Sequence, residues 1–271
     1  MASRATTSRA RQGETSAIAR AVQTRLSPVV VAAIAGAWLI AVIAQVTGNA
    51  AALHHHALIE GGPPLWVAVF VFLIAWQVMV AAMMLPASLP ALRAFGARSR
   101  RLRRPGLALA IFLAAYATVW TVFGFAAFMS DVALHRVIDA SPWLGARSWL
   151  IGPSALALAG AYQFGPLKRW GLGACRHPAG AAATVEAAKT GAALLGLRHG
   201  IECLASSWVL MSLMFAAGVA NLGWMAGLAL VMAYETMGRH GQRARSVFGL
   251  ILFGLAGVAL VTGWVPGFGA T

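Results

Sequence analysis

Acidic residues are scarce. Asp and Glu number seven in 271 residues, against 21 Lys and Arg, and charged residues of either sign make up 10% of the chain. Soluble domains carry about 25%, so the composition excludes a soluble globular protein of this size. Cysteine is rarer still. Cys175 and Cys203 are the two present, too few for a disulfide framework. Catalytic signatures are also missing: the chain has no HExxH, no Gly-rich phosphate loop and no paired carboxylates. These absences argue against an enzyme.

What the chain has is apolar length. Hydrophobic residues make up 60% and the mean hydropathy is +0.75. Apolar runs cover Pro28–Val46, Leu65–Leu85, Leu107–Met129, Ser148–Phe164, Ile201–Ala220, Leu222–Met237 and Val247–Val265. A bilayer crossing takes about 20 residues, with a range of roughly 17–25. The chain therefore reads as an all-α, polytopic transmembrane helix bundle of about seven spans. A disordered basic tail is expected over residues 1–27, and a single transmembrane domain over 28–265.

The formal charge of +14 lies in short blocks between the runs. That placement suits orientation signals and lipid headgroups, not nucleic acid. With a cytoplasmic N-terminus, the inside segments hold 19 Lys and Arg, and the outside segments hold Arg136 and Arg147. The bias puts the C-terminus outside. Residues 181–197 carry Glu186 and Lys189 and are expected to form an interfacial helix rather than an eighth span.

One run carries more chemistry than an anchor needs. At helical spacing, His199, Cys203, Ser207, Met211, Met214, Gly218 and Asn221 share one face. Ile201, Leu204, Trp208, Phe215 and Val219 form an apolar flank opposite. A polar and sulfur-bearing stripe on a spanning helix must face a protein interior. It suits helix–helix packing and it suits a binding site. Both readings stay open at this point.

The second run ends in WQVMVAAMMLP, where Met79 and Met83 share a face with Trp76, Met84 lies beside them, and Pro86 is expected to end the helix. Methionine fills core gaps, and its thioether also selects Cu(I). Glu235 lies near the inner end of the sixth run. It is expected to pair with a cation such as Arg198 or Arg239, or to face a polar cavity. The loop histidines His54, His55 and His56 can take up metal at a surface, although consecutive residues do not converge on one ion.

Three motifs stand in order: WxxMxxAMMLP at Trp76–Pro86, AGAYQFGPLK at Ala159–Lys168 followed by Cys175-Arg176-His177-Pro178, and GLRHGIEC…SSWVLM…GVANLGWM at Gly196–Met225. Together they resemble DUF2182, a bacterial family of predicted metal-binding integral membrane proteins. The resemblance covers about Leu65 to Arg239. It implies a location in the bacterial inner membrane and a metal site, with copper the expected ion and Met83, Met84, His199, Cys203 and Cys175 the expected ligands. Glu235, Asn221 and Ser207 are the expected polar groups of the interior. Where this chain has Gly171, Ser206 and Ser207, the family pattern carries further cysteines. The lipid bilayer is the first expected partner, and a metallochaperone or a second membrane subunit the next. Two other readings remain: a transporter or channel using the stripe with Glu235, and an accessory subunit whose metal site has degraded.

Overall fold

The computed structural model describes residues 27–49, 58–59, 63–100, 102–176, 190–217 and 221–263. The basic tail, the histidine loop and most of the stretch expected to form an interfacial helix lie outside them. The described residues are helical and contain no strand. In chain order the helices are α1 (Pro28–Val46), α2 (Leu65–Ala87), α3 (Leu89–Ser99), α4 (Pro105–Ala140) and α5 (Pro142–Gly145). After a 3-10 turn at Ser148–Leu150 come α6 (Ile151–Phe164), α7 (Pro166–Arg176), α8 (Thr190–Ala217), α9 (Leu222–Met237) and α10 (Gly241–Thr262).

Four of these, α1, α2, α4 and α10, are long and apolar enough to cross a membrane, and α9 is a shorter apolar helix. Two helices run further than the apolar pattern implies. Helix α4 continues eleven residues past Met129, with Asp131 and His135 one turn apart at 3.7 Å, so Asp131 lies inside the helix. Helix α8 begins at Thr190, which makes residues 190–197 its first two turns. Good helix formers such as Ala192, Ala193, Leu194 and Leu195 carry the helix through the charged boundary without a break.

Packing centres on α2 and α8. Helix α8 lies along α4 and α7, α9 and α1 pack on α2, and α10 pairs with α6. Two tryptophans set the position of α2. Pro86 has no N–H, so the Ala82 carbonyl one turn earlier loses its usual donor. The Trp38 indole of α1 supplies one at 3.0 Å, which ties α1 to the C-terminal end of α2. Further along, Trp76 Nε1 donates to the Trp120 carbonyl of α4 at 2.9 Å. Its ring lies over Gly124, where a Cβ would come within 2.6 Å of it. Phe72 and Phe215 pack on the same indole, and Phe128 stacks on Phe72 with the rings 4.6 Å apart. The rotation of α2 is thereby set, and with it the direction in which Met84 points.

Arginines close helix ends on the side of the molecule where α2 ends. Arg176, the last residue of α7, donates to the Glu235 carbonyl at 2.6 Å and the Gly238 carbonyl at 2.9 Å. The first is an acceptor of the last turn of α9, where carbonyls lack intrahelical donors; the second also accepts from Gly241 N–H at 3.1 Å. Arg245 does the same for α6 by donating to the Gln163 carbonyl.

Candidate metal centre

The stripe on α8 faces inward. His199, Cys203, Ser207, Met211 and Met214 are all buried, whereas Ile201 on the opposite flank is half exposed. Gly171 of α7 helps hold that rotation. A Cβ at this position would sit 2.7 Å from Ser206 N and 2.8 Å from Glu202 O, so α7 rests directly on the backbone of α8. Where the family resemblance implies a further thiol, this chain has helix contact instead. Gly171→Cys is therefore expected to push α7 away and not to add a ligand. The cost is about 1–3 kcal/mol, as for other overpacked contacts, read as a lower unfolding midpoint in detergent.

Helix α7 buries Lys168, Gly171, Leu172 and Cys175 and exposes Leu167 and Trp170. The buried positions follow the three-and-four spacing of one helical face, and two of them carry chemistry. Cys175 and Cys203 line a common space between α7 and α8. Lys168 Nζ meets Glu235 Oε2 at 2.5 Å, with both side chains 1% exposed. Glu235 thus pairs with neither expected cation. Arg198 is taken up by Glu202 one turn along, at 2.8 Å.

These groups line one small cavity among α2, α7, α8 and α9. Met84, Cys175, Cys203 and Met232 supply its sulfur, and Lys168 and Glu235 its charge. Cys203 lies 3.9 Å from Met84 Sδ. Ser207 Oγ lies 3.5 Å from the same sulfur and 2.7 Å from the Cys203 carbonyl. Tyr116 OH lies 3.3 Å from Cys203 Sγ and receives a hydrogen bond of 3.3 Å from Ser88. Glu235 Oε1 is buried and has no hydrogen-bond partner among the described residues.

The other expected site residues are placed elsewhere. Met83 is fully buried in the apolar core, and its neighbour Met84 is the one that lines the cavity. His199 stacks on Tyr116 and Phe112, with ring centroids 5.6 and 6.0 Å away. Both of its nitrogens are buried without a hydrogen-bond partner among the described residues. Tyr116 therefore stands between the imidazole and the Cys203 thiol. Asn221 is not at the cavity. It caps α9, its side-chain oxygen accepting from Gly223 and Trp224 N–H at 3.1 and 3.2 Å.

Among the described residues no three His, Cys, Asp or Glu side chains converge as a hard or borderline metal site does. The convergent donors are thiols and thioethers, a set that favours a soft ion such as Cu(I) over Mg²⁺ or Ca²⁺. The chain matches the model of a copper chaperone family, PpoB2, over residues 73–260. It belongs to that family. The PpoB2 match spans every residue of the sulfur cavity, from Met84 to Thr236. The match is to this copper-associated family and does not show DUF2182. No curated protein and no solved structure matches the chain.

Several members of the site carried little signal in the sequence. Tyr116 looks like an ordinary packing aromatic, Ser88 is a lone hydroxyl after a proline, and Lys168 sits in a cluster of loop charges. Met232 shares a helical face with Glu235, and that pattern was the one available clue to its place.

Proposed function

We propose that this protein holds Cu(I) as cargo in the cavity between α2, α7, α8 and α9 and passes it to a partner at the membrane. Met84 and Cys203, with Cys175, are the proposed ligands. The carrying observation is their convergence in one buried cavity, with Cys203 and Met84 sulfurs 3.9 Å apart. Membership of a copper chaperone family supports the reading. Three soft donors in low-coordinate geometry suit Cu(I), and Ser207 and Tyr116 orient two of them. His199, buried against Tyr116 one helical turn from Cys203, is left out of the proposed ligand set.

The proposal includes seven crossings, made by α1, α2, α4, α6, α8, α9 and α10, in a bacterial inner membrane. The N-terminus is cytoplasmic, as the distribution of basic residues suggests. The cavity then opens toward the cytoplasm, where a metallochaperone or a second membrane subunit exchanges the ion. A transport reading draws on the buried Lys168–Glu235 pair in the same cavity. Flux of copper into sealed vesicles that stops with Glu235→Gln, with Cu(I) binding unchanged, would favour it.

The direct test is competition for Cu(I) against a chromophoric chelator, using detergent-purified protein under anaerobic conditions. Loss of an outer partner costs a metal site about 10–100-fold. Cys203→Ser removes a ligand itself, so its expected loss is about 100-fold or more. A Cys203→Ser protein that folds normally and keeps full Cu(I) affinity would sink the reading.

A further inference from the structure

Resting on that Cu(I) reading and deepening it, we infer that Tyr116, held by Ser88, is the hydrogen-bond donor that stabilises Cys203 as the metal-bound thiolate. Neither hydroxyl is a ligand; each acts through the sulfur. The Tyr116 OH lies 3.3 Å from Cys203 Sγ. Ser88 Oγ lies 3.3 Å from the phenol oxygen and 3.9 Å from the same sulfur. Tyr116 and Ser88 are each 2% exposed and Cys203 is 3% exposed, so bulk water does not compete for the phenol proton.

The hydrogens of this group run in one direction. A thioether accepts and never donates, so the Cys203 thiol is the donor toward Met84 Sδ, across 3.9 Å. Ser88 donates to the Tyr116 oxygen. The phenol proton is then left for the Cys203 sulfur, and the order is Ser88 to Tyr116 to Cys203 to Met84. Metal binding changes one link of that chain. Cysteine ligates as the thiolate, so Cu(I) takes the place of the thiol proton between the two sulfurs. The displaced proton passes to the ligand that gives up the ion, or to buffer. Cys203 then has no proton to give, and Tyr116 must be the donor in their contact. A hydrogen bond to a neutral thiol becomes one to an anion, and such bonds are about twice as strong. The gain arises in the loaded state alone, so it enters the affinity directly. Ser88 adds to it, because hydrogen bonds in a chain polarise one another.

Both residues can be tested without dismantling the site. The Tyr116 ring stacks on His199 with centroids 5.6 Å apart, so phenylalanine keeps the packing and loses the donor. Ser88 joins α2 to α3 with no side-chain cap bond, so alanine leaves the junction's backbone bonds in place.

The test uses the full chain in detergent under anaerobic conditions, with His54, His55 and His56 changed to Ala. Cu(I) affinity is read by competition with a chromophoric chelator. Tyr116→Phe is expected to lower it about 10–100-fold, the range for outer partners of a metal ligand, and Ser88→Ala to lower it less. The double variant is expected to match Tyr116→Phe, because Ser88 acts through the phenol. Infrared difference spectra of Cu(I) loading read the hydrogen bond itself. Loss of a thiol S–H band is expected together with a shift of a phenol C–O band, and that shift is missing from Tyr116→Phe. A purely structural Tyr116 leaves the phenol band in place. Should Tyr116→Phe fail to fold, Ser88→Ala carries the test, with a smaller phenol shift expected than in the parent chain.

Unchanged affinity in Tyr116→Phe, or a phenol band that does not move on loading, overturns this inference and leaves the carrier reading standing. Additive losses in the double variant overturn the part given to Ser88. A parent chain that takes up no Cu(I) overturns the carrier reading with it.

Discussion

Lys168→Met is expected to be among the most damaging single substitutions in the cavity wall, although methionine matches the length of the lysine stem. Lys168 and Glu235 are 2.5 Å apart and 1% exposed. Removing one member of a buried pair leaves the other charge without water or partner, at a cost of about 3–5 kcal/mol. The second carboxylate oxygen already lacks a hydrogen-bond partner among the described residues, so little remains to share the load. The measurement is the unfolding midpoint in mixed micelles. The double variant Lys168→Met/Glu235→Leu is expected to recover most of the loss, because an apolar pair can replace a buried ion pair at little cost. If the double variant were no more stable than the single, the pair would not be what holds α7 to α9. The same variants separate structure from chemistry. Neither residue is a proposed ligand, so the double variant should still bind Cu(I).

Trp76→Ala is expected to cost a similar amount, about 3–5 kcal/mol, as large-to-small changes of buried aromatics do. The indole is fully buried, lies on Gly124 and donates to the Trp120 carbonyl. The effect should reach the metal site without any direct contact. Trp76 and Met84 lie two turns apart on α2, and the indole fixes the helix against α4. A Trp76→Ala protein should bind Cu(I) more weakly even under conditions where it stays folded. Trp76→Phe, which keeps the ring but not the N–H, should fall between the two. Unchanged affinity in Trp76→Ala would mean that Met84 is positioned by its local contacts with Cys203 and Ser207 alone.

The all-helical architecture and the presence of long apolar helices were legible in the composition and in the lengths of the apolar runs. So was the inward face of α8, because a helix repeats its side chains every three or four residues. Helix boundaries were less so. A terminus is set by capping and by neighbours and not by the end of an apolar run: α4 continues to the break at Ser141-Pro142. Partner choice was least legible of all. Glu235 is 67 residues from Lys168 in sequence, and Cys203 is 119 residues from Met84. A periodic pattern reports which face of a helix is buried and says nothing about which helix it will meet. Asn221 illustrates the limit. It continues the stripe by spacing, but the turn it begins needs an N-cap, and its side chain serves the backbone of α9 instead.

Helix α7 grips a single residue from both of its ends. Lys168 in its first turn holds the Glu235 carboxylate, and Arg176 at its end holds the Glu235 carbonyl. Cys175 lies between these two anchors. On the proposed carrier reading, an ion leaving the cavity past α7 would wait for both anchors to let go, so its residence time would be set by the unclasping of a helix and not by the exchange of a ligand. A docking partner would shorten that time by competing for Arg176, whose guanidinium is only partly buried. Delivery would then be timed by the recipient.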